Sequence, residues 1–169
     1  MDLGERLGRQ EDGLDDLLAA LGLTWPDEPD ERVARLAQQQ PHYPQYHRIG
    51  HKRQTVRRAL EADRTAAARH FEPVLALLLL DDDPSSPRWL TTALVAAVGH
   101  RRVLAGLLHA AEEGTPDQRR CAANAWHWAE PPLRHASEQA RREGRPTATS
   151  RAQREAVADL EQRFRAAIG

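Results

Sequence analysis

The chain has 169 residues, enough for one domain with a sizeable core, and its single cysteine, Cys121, excludes an internal disulfide and suits a reducing compartment. Apolar residues make up 40%, mostly Ala and Leu, against 5% aromatics and few β-branched residues, which favours an all-α fold over a sheet. The net charge of −1 hides an asymmetry: residues 1–31 hold ten acids and two arginines, and residues 32–80 hold nine bases and three acids, a pattern that neutralises itself or serves an anionic partner.

The start, Met1-Asp2-Leu3-Gly4-Glu5, is acidic and lacks a long apolar run, so no secretory leader is expected. Leu14, Leu17, Leu18 and Leu21 share one face of a short helix that Gly22 closes. Pro29, with Asp30 and Glu31 in the first turn, opens a second helix striped by Val33, Leu36 and Ala37. Residues 41–46, with Pro41 and Pro44, read as a loop. From His47 to about His70, Ile49, Val56, Leu60 and Ala67 suggest a helical stripe interrupted near Asp63, and the other faces are basic.

Glu72-Pro73 starts a Leu-rich helix that ends at Asp81-Asp82-Asp83. Its run Val74 to Leu80 is the longest apolar stretch and too short to span a bilayer, so no membrane is expected and a cytoplasmic protein is. Ser86 reads as the N-cap of a helix with Pro87 in first position, placing Trp89, Leu90, Ala93, Leu94, Ala97 and Val98 on one broad face up to Gly99. A helix from Arg101 to Glu113 groups Val103, Leu104, Leu107, Leu108 and Ala111. Thr115-Pro116-Asp117-Gln118 has the form of a capping box, followed by Cys121, Ala122, Ala125, Trp126 and Ala129. Pro131-Pro132 ends that helix and begins another through Arg142; Gly144 and Pro146 bound a polar loop. Ser150 to Gln153 forms a second capping-box pattern, before a last helix that buries Ala156, Val157, Leu160 and Phe164. The expected total is about eight helices and no strand.

Val74 to Leu79 is echoed by Val103 to Leu108, and Asp83-Pro84-Ser85-Ser86-Pro87-Arg88 by Gly114-Thr115-Pro116-Asp117-Gln118-Arg119. Arg57, Arg88 and Arg119 are spaced by 31 residues. A helical pair that cannot bury its broad apolar face alone can share a core with stacked copies.

On these motifs, with Ala93-Leu94, Gly99, Ala122-Ala123, Ala125-Trp126 and a degraded copy at Val56-Arg57-Arg58-Ala59-Leu60, the chain resembles the HEAT-like family of short α-helical repeats over about residues 49–129. The resemblance implies an α-solenoid of stacked antiparallel helical hairpins in a single domain, 1–169. Residues 1–46 would be an N-terminal helical cap and Pro-rich loop, 47–130 the repeats and 131–169 capping helices. It implies a non-enzymatic module that binds another protein through a concave surface lined by the second helix of each pair. That surface would be Arg57, Arg58, Thr92, Arg120, Asn124, His127 and Trp128. No catalytic residue carries over, and no cofactor is expected.

Two alternatives remain. Arg48, His51, Lys52, Arg53, Arg57 and Arg58 make the densest basic patch, which a nucleic-acid backbone would need. Some HEAT-like proteins are DNA-base glycosylases, although no matching carboxylate is assignable here. A small-molecule pocket around Trp89 and Trp126 would instead make a carrier or an unusual enzyme. His42, His47 and His51 lack an acidic or thiol neighbour to complete a metal set, so exposed histidines at a helix start are preferred. Asp81-Asp82-Asp83 reads as a turn rather than a cation loop, because three adjacent side chains point apart. Trp126 is expected in the core, Trp128 on another face, and Cys121 buried as a small hydrophobe.

Overall fold

A computed structural model describes residues 2–26 and 30–169. The expected helix opener Pro29 and the starting Met1 lie outside the described residues. Within them the chain is all-α, with eleven helices and no strand. The helices are α1 (Leu3–Ala20), α2 (Glu31–Ala37), α3 (Tyr43–Ala62), α4 (Arg64–Arg69), α5 (Phe71–Leu78), α6 (Arg88–Val98), α7 (His100–Glu113), α8 (Pro116–Ala129), α9 (Glu138–Arg142), α10 (Ala148–Glu155) and α11 (Ala158–Ile168). No helix among the described residues is long and apolar enough to cross a membrane.

Local chemistry sets most boundaries. Gly22, at φ +67°, ends α1: its N–H donates to Ala19 O and that of Leu23 to Leu18 O, a paired closure that a left-handed residue permits. Asp63 ends α3 and caps α4 through the amides of Thr65 and Ala66, so the expected interruption is a one-residue hinge. Thr115 and Gln118 complete the capping box of α8.

Four expectations are corrected. Residues 43–46 are helical, because Pro44 sits in the first turn of α3, where its missing N–H has no intrahelical acceptor to lose. Ser86 does not cap α6; its hydroxyl donates to Asp81 instead. The helix expected from Pro131 to Arg142 shrinks to Glu138–Arg142, which Ser137 caps by accepting from the Ala140 amide (3.1 Å). Thr147, not Ser150, caps the next helix; that helix breaks at Ala156-Val157, leaving Ala156 exposed. The breaks at Asp63 and at Ala156-Val157 each divide one expected helix in two, which gives eleven helices among the described residues.

The helices form two rows of neighbours. One runs α1, α5, α7, α11; the other runs α3, α6, α8; α1 lies against α3, α5 against α6 and α7 against α8. A continuous core joins the rows, with Leu14, Val56, Leu60, Val74, Leu78, Leu94, Val103, Leu104 and Leu107 almost wholly buried. Burying each such side chain stabilises the fold by roughly 1.5–3 kcal/mol. Close approach within the first row uses missing side chains. A Cβ on Gly106 of α7 would stand 2.6 Å from Leu75 Cδ2, and one on Gly13 of α1 would stand 2.9 Å from Leu77 Cδ2. At the far end Phe164 of α11 stacks on Trp126, with ring centroids 3.8 Å apart. Arg101–Asp159 (2.7 Å) and Arg163–Glu112 (2.8 Å) tie α11 to α7.

Candidate functional site

The second row, α3, α6 and α8, carries most of the residues expected at a contact surface. Arg57 of α3 places its guanidinium carbon 4.9 Å from the centre of the Trp89 ring on α6. Arg88 approaches the same ring at 4.0 Å and the Trp128 ring of α8 at 5.7 Å. His127 meets Trp128 edge-on at 5.0 Å. The result is a ladder of alternating cations and indoles across three successive helices. Both indoles are half-buried and Arg88 is exposed, without a carboxylate partner among the described residues.

The other expected residues divide. Asn124 donates to Asp82 O (3.1 Å) and Trp128 Nε1 to Pro84 O (3.1 Å), so both brace the loop before α6. Arg120 is exposed and paired with Asp117 in its own helix. Thr92 is exposed beside the ladder, but its hydroxyl donates to Arg88 O (2.7 Å). Arg58 is exposed and lies outside the ladder's contacts. Arg88 and Trp89 complete the surface, yet sequence reasoning used one only as a repeat marker and put the other on the buried face. The 31-residue spacing of Arg57 and Arg88 was the available signal.

The basic patch is organised inward. Arg48 grips Glu11 through Nε (2.7 Å) and Nη2 (3.1 Å); Lys52 Nζ bonds Glu11 (3.0 Å) and Asp15 (2.8 Å); Arg53 pairs with Asp81 (3.0 Å). The Arg48 hydrogen bond, opposed by burial and helped by Lys52, holds the Glu11 carboxyl down at about 2. Burial alone would lower the Lys52 pKa, but its bonds to Asp15 and Glu11 outweigh that and raise it. His51 is exposed; its ring lies 4.3 Å from His47 and 5.4 Å from Trp25. Among the described residues no three His, Cys, Asp or Glu side chains converge as a metal site.

The acidic run is shared out as a turn. Asp81 is buried against Arg53 and Ser86, Asp82 pairs with Arg6 of α1 (2.5 Å), and Asp83 accepts from the Ser85 amide (2.8 Å) and hydroxyl (2.7 Å). Burial pushes the Asp81 pKa up against the pull of Arg53. Burial likewise pushes the Cys121 thiol up to about 11, which removes it as a nucleophile near neutral pH.

Beside Trp128 a groove of about 730 Å³ opens between α6, the end of α8, residues 131–134 and α10. Val95, Trp128, Pro131, Pro132 and Leu133 supply its apolar surface. Its acid, Glu130, accepts from Trp126 Nε1 (3.0 Å) and pairs with Arg154 Nη1 (3.0 Å). His100 donates from Nδ1 to Ala129 O (2.7 Å), which fixes its ring on the groove wall. Trp126, by contrast, is only 6% exposed.

No protein-family model, curated protein sequence or solved structure matches the chain.

Proposed function

We propose that this chain is a non-enzymatic α-solenoid of HEAT-like type, and that the outer surface of α3, α6 and α8 binds a segment of another protein. The two rows of neighbours, with α5 against α6 and α7 against α8, support reading the helices as stacked pairs. The observation that carries the binding role is the ladder Arg57, Trp89, Arg88, Trp128. Arg88 is exposed, while Arg57 is half-buried and paired with Glu61 (3.0 Å); half-buried indoles beside guanidiniums are among the groups that dominate protein interfaces, since they offer a large rigid area with polar edges. The pairing of Arg48, Lys52 and Arg53 with acids of α1 and of the loop before α6 favours this reading over nucleic-acid binding. Cations already neutralised release few counterions on meeting a phosphate backbone.

Affinity capture with the parent chain and with Arg88→Glu, Trp128→Ala and Arg120→Glu variants tests the proposal. The partner recovered by the parent is expected to be lost with the first two and weakened with the third, at unchanged melting temperature for Arg88→Glu and Arg120→Glu. Undiminished recovery by all three would refute the surface assignment.

A further inference from the structure

The groove beside Trp128 has a chemistry of its own. Its volume of about 730 Å³ falls in the range of small-molecule sites. Two guanidiniums, Arg134 and Arg154, line it against the single carboxylate of Glu130, and Arg134 has no carboxylate partner among the described residues. Glu130 Oε1 lies 3.0 Å from Arg154 Nη1, and the Arg154 Nε is buried with no acceptor. A buried donor without an acceptor costs roughly 1–3 kcal/mol, which an incoming oxygen would recover. The Nε–Nη2 edge of a guanidinium presents two parallel N–H groups, a fork that matches the two oxygens of a planar carboxylate. The same lining holds an indole and a proline pair, flat surfaces suited to an aromatic or similarly flat body.

We propose that this groove binds a small organic carboxylate with a flat apolar body. The carboxylate would meet the guanidinium of Arg154 on its Nε side, and the body would lie on Trp128, Val95 and the wall from Pro131 to Leu133. The site shares Trp128 with the ladder but requires no protein partner, so its test is independent of partner capture.

Thermal-shift titration of the whole chain tests it with benzoate, phenylacetate and indole-3-acetate, their neutral amides, and phenyl phosphate. At least one carboxylate is expected to raise the melting temperature by linkage, with its amide inert. Arg154→Lys keeps the charge but loses the fork, and is expected to weaken binding about tenfold. Leu133→Asp, at an exposed position, is expected to abolish the shift through repulsion. Four results would each overturn the proposal: no carboxylate shifts the melt, amide and acid act alike, only the phosphate acts, or both variants respond like the parent.

Discussion

Two side chains show how single residues set stability here. Thr91 of α6 is wholly buried and its hydroxyl has no partner. A buried hydroxyl loses its water without gaining a bond, so an isosteric apolar replacement removes a cost. Thr91→Val is expected to stabilise the fold by roughly 1 kcal/mol, read as a higher urea midpoint at unchanged slope. Glu11 is the opposite case, a carboxylate held by two cations. Its folded pKa of about 2 lies below the ordinary 4.5, so between those values the unfolded chain binds more protons. The stabilisation is therefore present above about pH 4.5 and is lost as pH falls toward 2. Glu11→Gln is expected to cost about 1.5–3 kcal/mol at neutral pH and to flatten that acid-side fall, measured by melts across the pH range.

Between elements, the turns carry the most specific demands. Gly99 joins α6 to α7 by itself, at φ +83° and ψ 159°, a region open almost only to glycine. Gly99→Ala is expected to cost roughly 1–3 kcal/mol and to lower the melting temperature, although its Cβ would meet nothing within 4 Å. Helix interiors and glycine stops were legible because apolar period and backbone freedom act within a few residues. Helix starts were less so, for a hydroxyl can serve either its own helix or a distant partner. Ser86 turns back to Asp81, and the Ser150 hydroxyl donates to Arg134 O (3.2 Å) across the loop that precedes α10. Nothing local distinguishes those choices from capping.

Across the whole molecule, charge pairing and face sharing decide what is available to a partner. The composition of the two N-terminal blocks left self-neutralisation or an anionic partner open, and Glu11 and Asp15 carry out the first by pairing with Arg48 and Lys52. Which acids would meet which bases was not legible, since the partners lie 37 and 41 residues apart for Lys52 alone. Of the candidate surface, Trp128 and Arg57 were legible as residues off the apolar stripe. Trp89 was not, because helical period places it with the core, and only packing leaves its ring within reach of two arginines. The most direct measurement is hydroxyl-radical footprinting of the chain alone and with its captured partner, using exposed Tyr46 as internal reference. The account predicts that oxidation of Trp89, His127 and Trp128 falls on binding while that of Tyr46 holds. Unchanged oxidation of Trp89 and Trp128, with protection appearing on α1, α7 or α11 instead, would contradict it.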